Sequence, residues 1–345
     1  MKILKPFLTL WLFFNSSIVL GSGEITETQD IEDQNILCVG CMESFSYVLA
    51  QVFGSQITQA IFPLNEGTHK DRISLKTIDN QIISADYVPP DLPSKGVVVM
   101  YHGNAFTSKN WKQTEEYKFF RRHGLGVMMP TIRAYSNASS MDRQFNKSLL
   151  FDTEAVINYL VNDAGIPLSK IVSFGFSLGG AYAATTAHYF RTPLILQNAW
   201  QNVQSIVSEN LRSIWCFDFP SIFEHYERED YFTWNSSLRA YALKGIFFEQ
   251  LVQDFGDNVR KLSLEKERED PIDVLILYGK SDQLMNGFEG ALKLYDARYP
   301  TKAQMKRRLI GLSGNHQQLF ASSKIGRHSV TSFLYDNQMI LREGR

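Results

Sequence analysis

The sequence is poor in cysteine and nearly balanced in charge, and both properties narrow the range of functions. Three cysteines occur in 345 residues, and the formal net charge at pH 7 is -1. Because the charge is balanced, the chain has no overall attraction to polyanions, which argues against a nucleic acid partner. No repeat or low-complexity tract is present, and 44% of the residues are hydrophobic. We therefore expect one globular domain with a large core and room for an appendage.

The scarcity of cysteine also limits metal and redox chemistry. Cys38 and Cys41 form a Cys-x-x-Cys pair, but no βαβ pattern surrounds them, so a thioredoxin-like redox site is disfavoured. A zinc site would need two further ligands, and Cys216 is the only other cysteine. We interpret the pair as a structural disulfide in an oxidising compartment, and we expect neither a metal nor an organic cofactor.

Long apolar runs are absent beyond the N-terminus. Lys2 and Lys5 border an apolar stretch over residues 7–20, which leads into small residues. This pattern predicts a cleavable signal peptide over residues 1–23 and an exported protein, periplasmic or secreted. An uncleaved anchor is the alternative, but the run is interrupted at Asn15 and is shorter than the roughly 20 residues that a span needs. We expect no membrane span after cleavage.

Residues 24–70 form an N-terminal extension, in which apolar residues recur at helical spacing over residues 42–62. From residue 71 to residue 345, a β-hairpin is followed by alternating strands and helices, which is typical of an α/β domain with a mostly parallel sheet and helices on both faces. The hairpin should lie at one edge. Its strands are predicted at residues 72–78 and 82–88, and the later strands at 96–101, 126–130, 170–174, 193–197, 273–278 and 306–311. Helices are predicted at residues 111–122, 149–163, 178–189, 287–298 and 326–335.

One stretch, residues 200–270, is much longer than the crossover that two neighbouring strands need. It is rich in aromatic residues. We interpret it as a helical cap over the carboxyl edge of the sheet, where open α/β sheets bind ligands. The alternative is a packed helical extension without contact to a substrate.

Residues 175–179 read Gly-Phe-Ser-Leu-Gly, directly after a predicted strand and before a run of helix-forming alanines. A Gly-x-Ser-x-Gly turn in this context exposes the serine hydroxyl at the head of the sheet. Gly175 and Gly179 allow the strand and the helix to approach closely. Ser177 is therefore the predicted nucleophile.

A serine hydroxyl is a weak nucleophile at neutral pH, so a base must accept its proton and a carboxylate must orient that base. Asp282 and His316 each follow a predicted strand, in loops that open at the same sheet edge as Ser177. The chain order serine, aspartate, histidine is that of the α/β-hydrolases. These three residues are the predicted triad.

Hydrogen-bond donors must also face the oxyanion that develops during acyl transfer. The backbone amide of Leu178 is the first predicted donor, since it follows the nucleophile. The second should come from the loop after the strand at residues 97–101, where Gly103 and Asn104 lie. We choose the backbone of Asn104, with Ala105 in reserve.

Residues 101–105, 175–180, 279–282 and 314–316 together resemble the α/β-hydrolase superfamily. More narrowly, residues 152–187 and the turn at 133–136 are similar to the BEM46-like serine hydrolases, which are related to the S33 serine aminopeptidase-like group. The similarity covers residues 73–332. The family commonly has Arg-Gly-Tyr-Gly where this chain has Arg-Ala-Tyr-Ser, so two flexible glycines are missing from that turn.

The resemblance implies esterase, thioesterase or lipase chemistry, and the aromatic insertion favours a small-molecule or lipid acyl ester as the substrate. A peptidase or amidase could use the same triad. A hydrolase-fold protein that binds partners without catalysis is a third reading, against which the intact set of Ser177, Asp282 and His316 argues.

Overall fold

The structure, a computed structural model, describes residues 71–103, 111–131, 145–201, 257–282, 285–317 and 319–340. Several predictions lie outside these residues: the signal peptide, the helix at residues 42–62, the pair Cys38 and Cys41, the turn at 133–136, and the choice of Asn104 or Ala105. Most of the insertion predicted at residues 200–270 also lies outside them.

The described residues contain one sheet of eight strands, in the spatial order β1-β2-β4-β3-β5-β6-β7-β8. β1 and β2 form an antiparallel hairpin at one edge, and β2 is antiparallel to β4. The strands from β3 to β8 are mutually parallel. The predicted mostly parallel sheet with an edge hairpin is thus confirmed. The strands are β1 (Arg72–Lys76), β2 (Ile82–Val88), β3 (Val97–Tyr101), β4 (Gly126–Pro130), β5 (Ile171–Phe176), β6 (Leu194–Gln197), β7 (Val274–Gly279) and β8 (Leu309–Leu312).

Helices connect the strands on both sides of the sheet. Those within the described residues are α1 (Glu115–Arg122), α2 (Phe145–Asn158), α3 (Gly179–Phe190), α4 (Asn258–Lys266), α5 (Gly287–Arg298), the single turn α6 (Met305–Arg308) and α7 (Lys324–Asp336). A π-helical turn, Tyr159–Asp163, extends α2. Across the described part of the chain, no helix combines the length and the apolar character that a membrane span requires.

Two boundaries differ from the prediction for clear physical reasons. Helix α1 begins at Glu115 rather than Trp111, because the Thr114 side chain accepts a hydrogen bond from the amide of Tyr117 and caps the helix there. The strand predicted at 306–311 begins only at Leu309, since the preceding residues form α6.

The parallel strands are covered on both faces, and each face has its own apolar core. Val97, Val99 and Leu196 belong to the core shared with α2, α3, α4 and α5. Val98 and Met100 belong to the opposite core, shared with α1 and α7. All five residues of β3 are buried, as expected for a strand enclosed between two layers.

The two described ends of the long insertion lie side by side at the carboxyl edge of the sheet. The carbonyl oxygen of Gln201 accepts a hydrogen bond from the amide of Val259 at 3.2 Å. The side chain of Asn258 donates to the carbonyl oxygen of Trp200 at 2.8 Å. Residue 201 lies only four positions after the end of β6, so the insertion joins the domain next to the loops that follow β5 and β7.

Candidate active site

Ser177 occupies the turn between β5 and α3. Its φ is 52°, in the left-handed region that residues other than glycine adopt at a cost. The turn is held by a hydrogen bond from the Ser177 amide to the carbonyl oxygen of Gln197 at 3.0 Å, which ties it to the end of β6. Ser177 is 6% exposed, so only a small part of it reaches the surface.

The glycines on either side of Ser177 are required by close packing. A Cβ added at Gly175 would lie 2.5 Å from the carbonyl oxygen of Gly179. A Cβ at Gly179 would lie 2.1 Å from the carbonyl oxygen of Tyr101, the last residue of β3. Strand β5, helix α3 and the end of β3 therefore meet at this turn without room for a side chain.

A chain of two hydrogen bonds joins the three predicted triad residues. His316 Nε2 lies 3.0 Å from Ser177 Oγ, and His316 Nδ1 lies 2.9 Å from Asp282 Oδ2. The second carboxylate oxygen of Asp282 accepts the amide of Met285 at 3.1 Å. The side chain of Asp282 is 1% exposed and that of His316 is 18% exposed.

This arrangement fixes the roles of the two imidazole nitrogens. An ionised carboxylate only accepts hydrogen bonds, so Nδ1 of His316 carries the proton shared with Asp282. Nε2 is then the acceptor for the hydroxyl proton of Ser177. The geometry is suited to general-base removal of that proton.

The loops that carry Asp282 and His316 are joined by backbone hydrogen bonds beyond the ends of β7 and β8. The amide of Lys280 donates to the carbonyl oxygen of Leu312 at 2.9 Å, and that of Ser281 to Gly314 at 2.8 Å. These contacts prolong the pairing of the two strands. Asp282 and His316 therefore extend from one continuous piece of the sheet.

Two residues that contact His316 were not predicted from the sequence as site residues. The ring of Phe176 packs against the imidazole, with ring centroids 5.3 Å apart. The side chain of Asn198, the residue after β6, donates to the carbonyl oxygen of His316 at 2.6 Å. Asn198 belongs to no chemical motif, and Phe176 fills a variable position of the Gly-x-Ser-x-Gly turn. For Asn198 the available signal was its position, since it is polar and follows a buried strand that ends at the same edge.

The predicted oxyanion loop begins against Ser177. A Cβ at Gly103 would lie 3.3 Å from the Cβ of Ser177 and 2.7 Å from the Phe176 ring. Before it, His102 is buried and its Nδ1 lies 2.8 Å from the carbonyl oxygen of Gly103. Burial lowers the pKa of His102 to about 4, so this imidazole is neutral near pH 7. Leu178 stands at the N-terminus of α3, where helix amides have no partner within the helix.

A second buried carboxyl supports the segment after His316. Glu116 of α1 is 1% exposed, and its Oε1 accepts the amide of Ala321 at 2.8 Å. Its Oε2 has no hydrogen-bond partner among the described residues. Burial raises the pKa of Glu116 to about 7.

In the described ranges, histidine, cysteine, aspartate and glutamate nowhere gather in groups of three or more that could hold a metal ion.

The strand order, the two-sided helical layers and a Ser-His-Asp hydrogen-bond chain at the carboxyl edge define the α/β-hydrolase fold. Solved structures agree with that fold. The esterase Pf2001 of Pyrococcus furiosus superposes with a TM-score of 0.54 at 13% identity, over 79% of this chain and 95% of the esterase. A second crystal form of that esterase gives a TM-score of 0.52 at 15% identity, over 78% of this chain and 94% of the esterase.

Sequence relatives match only short segments. The multifunctional-autoprocessing repeats-in-toxin protein of Vibrio cholerae is 31% identical over 97 residues, which are 28% of this chain and 2% of the toxin. The uncharacterized membrane protein YNL320W of Saccharomyces cerevisiae is 32% identical over 92 residues, 26% of this chain and 32% of the yeast protein. The chain thus spans about a third or less of each of these relatives. No protein-family model matches the sequence.

Proposed function

We propose that the protein is a serine hydrolase that cleaves acyl esters or thioesters through an acyl-enzyme intermediate. The observation that carries the proposal is the hydrogen-bond chain from Asp282 through His316 to Ser177. Ser177 is the nucleophile, His316 the general base and acid, and Asp282 the group that orients His316.

In the first step, Ser177 Oγ attacks the acyl carbonyl carbon while His316 Nε2 accepts the hydroxyl proton. Collapse of the tetrahedral intermediate breaks the bond to the alcohol or thiol, which takes the proton from Nε2. Water then attacks the acyl-enzyme, His316 accepts a proton from that water, and the acid leaves as the proton returns to Ser177 Oγ.

The developing oxyanion needs donors that are already in place. We assign the amide of Leu178 as one donor, supported by its position at the N-terminus of α3, where the helix dipole also favours negative charge. The backbone amide of Asn104 is the proposed second donor, supported by the packing of neighbouring Gly103 against Ser177. Removal of one such donor typically lowers kcat by about a hundredfold.

The proposed substrate carries an apolar acyl group, as in a small-molecule or lipid ester. Support comes from the many aromatic residues of the insertion at 200–270 and from the place where its ends join the domain, beside the loops of the triad. Within the fold, we propose that the chain is a BEM46-like serine hydrolase, on the residues quoted for that resemblance.

Labelling with a fluorophosphonate and turnover of p-nitrophenyl esters of increasing chain length test the proposal. We expect Ser177→Ala to lose both the label and the turnover. Ser169→Ala is the matched control, because Ser169 is an exposed serine that precedes β5 at the opposite edge of the sheet. Equal labelling of wild type and Ser177→Ala would refute the assignment.

We also propose that the protein is exported, on the strength of Lys2, Lys5 and the apolar stretch that follows. N-terminal sequencing of protein recovered from the expressing organism should then begin within residues 22–24. An intact Met1 on the mature protein would contradict cleavage.

A further inference from the structure

We propose that Asn198 is a positioning residue of the hydrolase, which fixes the backbone of His316 relative to the loop of Asp282. The inference rests on the proposed function, since it assigns a role in the triad chemistry. The side-chain hydrogen bonds of Asn198 go to the backbones of His316 and Gly279, not to Ser177 or to the imidazole. Its effect on catalysis must therefore act through His316.

The side chain of Asn198 bridges two loops that carry different triad members. Its Nδ2 donates to the carbonyl oxygen of His316 at 2.6 Å, and its Oδ1 accepts the amide of Gly279 at 2.7 Å. Gly279 is the last residue of β7 and lies three positions before Asp282. Asn198 is 2% exposed, so water does not compete strongly for these bonds.

The backbone of Asn198 is itself fixed to the sheet. Its amide donates to the carbonyl oxygen of Leu277 at 2.9 Å. Its φ is 47°, a left-handed conformation that asparagine adopts more readily than most residues. The side chain thus leaves the end of β6 from a rigid base.

The chemistry of the amide matches its two partners, and this match explains why asparagine occupies the position. One end must donate to a carbonyl and the other must accept from an amide, and a primary amide provides both. An ionised carboxylate would still accept from Gly279 but would repel the carbonyl oxygen of His316. Asn198→Asp, once its carboxyl is ionised, therefore removes one of the two bonds selectively and leaves a residue that tolerates the same φ.

The consequence for catalysis follows from the geometry of the triad. The Nε2 atom of His316 must stay within hydrogen-bond reach of Ser177 Oγ, now 3.0 Å away, while Nδ1 stays on Asp282. Misplacement of a catalytic group by about 1 Å can cost about a hundredfold in rate. Loss of the Asn198 bond frees the main chain that carries the imidazole.

The experiment compares wild type with Asn198→Asp, Asn198→Gly and Thr192→Val, by ester kinetics from about pH 6 to about pH 10, because burial raises the pKa of an introduced carboxyl and only its ionised form loses the bond to His316. Asn198→Gly removes both bonds without backbone strain. Thr192→Val is the control, because it deletes the buried 2.7 Å hydrogen bond between Thr192 and Ser173 near the opposite end of β6. We expect kcat to fall about 10- to 100-fold in both Asn198 variants, with KM within about twofold, while Thr192→Val keeps the wild-type kcat.

A spectroscopic readout separates this inference from the proposed function. The proton shared by His316 Nδ1 and Asp282 should give a downfield NMR resonance in the wild type, absent in Asp282→Ala. We expect that resonance to shift or broaden in Asn198→Asp and to persist in Thr192→Val. If wild-type protein hydrolyses no ester and takes no fluorophosphonate label, the proposed function fails, and the resonance still tests the role of Asn198.

Wild-type kcat in both folded Asn198 variants across that pH range, or a resonance unchanged in both, would overturn the positioning role. A fall in kcat of the same size in Thr192→Val would also overturn it, because the effect would then be one of general stability. Folding of each variant is verified by circular dichroism and thermal unfolding. If Asn198→Gly does not fold, Asn198→Asp alone decides the result.

Discussion

Gly179 lies so close to Tyr101 that a Cβ at position 179 would be 2.1 Å from the Tyr101 carbonyl oxygen. The contact brings the first residue of α3 onto the last residue of β3. It therefore joins the turn of Ser177 to the loop in which the second oxyanion donor is proposed. Both partners are backbone atoms, which cannot move aside as the end of a flexible side chain could.

Gly179→Ala should consequently destabilise the protein by roughly 3 kcal/mol or more, at or above the upper range for overpacking. Urea unfolding monitored by fluorescence measures the change. Gly165→Ala is the comparison, since a Cβ there meets nothing within 4 Å and only its φ of 68° is unfavourable. Equal losses in the two variants would show that the contact with Tyr101 is not limiting.

At position 177, glycine should give a more stable protein than alanine, which is the reverse of their usual order. Both substitutions remove the hydroxyl and should abolish ester turnover. At a φ of 52°, glycine avoids the strain that alanine retains, so Ser177→Gly should be more stable than Ser177→Ala by roughly 1 kcal/mol. Chemical denaturation of the two variants decides the order, and a more stable alanine variant would contradict a strained turn.

Glu116 should make stability depend on pH. Burial raises the pKa of Glu116 to about 7 from an ordinary value of 4.5, so the folded state favours the protonated form. Its stabilising contribution is complete below pH 4.5 and is lost as the pH rises through 7. From about pH 5 to about pH 8, wild type should lose up to roughly 3 kcal/mol relative to Glu116→Gln.

The measurement is the free energy of unfolding of both proteins across that pH range. Glutamine keeps an oxygen for the amide of Ala321, so the hydrogen bond itself is not the variable. Two charged residues lie near the Glu116 carboxyl. Glu115 further raises its pKa, and the side chain of Arg327 donates to the carbonyl oxygen of Ala321. Parallel pH profiles for the two proteins would refute the assignment.

Glu265 should have the opposite pH dependence. This buried carboxylate of α4 accepts hydrogen bonds from His188 and Arg191 at the end of α3. Burial alone would raise the pKa of Glu265, but these hydrogen bonds and the charges of Arg191 and Arg268 lower it below the ordinary 4.5. The contribution to stability is therefore present above pH 4.5 and is lost as the pH falls through the lowered pKa.

Glu265→Gln should lower the free energy of unfolding by roughly 2 kcal/mol at neutral pH, since hydrogen bonds to a buried charge are lost. The difference should shrink in acid, where wild type also loses the charge. Thermal unfolding near pH 7 and near pH 3 tests both statements. A constant difference would mean that ionisation of Glu265 is not the cause.

The sheet and the placement of Ser177, Asp282 and His316 could be predicted because each follows an apolar strand. Parallel strands bring their carboxyl ends to one edge, so position in the chain translates directly into position in space. Boundaries were accurate where the sequence marks both ends. Gly287–Arg298 and Gly126–Pro130 have the bounds that the sequence predicted.

The contacts of Asn198 and Glu116 could not be predicted, because their partners are distant in sequence. Glu116 lies in a helix of mostly charged residues that reads as solvated, yet it is buried against Ala321 of a segment two hundred residues away. Asn198 is a single amide whose partners, Gly279 and His316, become adjacent only when β6, β7 and β8 assemble. The local sequence pattern around each residue predicts neither set of contacts.

The adjacent ends of the insertion have a consequence for how the sequence of this chain can change in evolution. Since Gln201 and Val259 are already hydrogen-bonded neighbours, closing the chain across that gap demands little rearrangement, and loop-closure entropy grows only slowly with length. The intervening segment can be exchanged, shortened or lengthened while β6, β7 and the triad loops keep their places. Residues 202–256 and the sheet edge that carries Ser177, Asp282 and His316 are thus separable parts of the chain, open to independent evolution and to grafting between proteins of this fold.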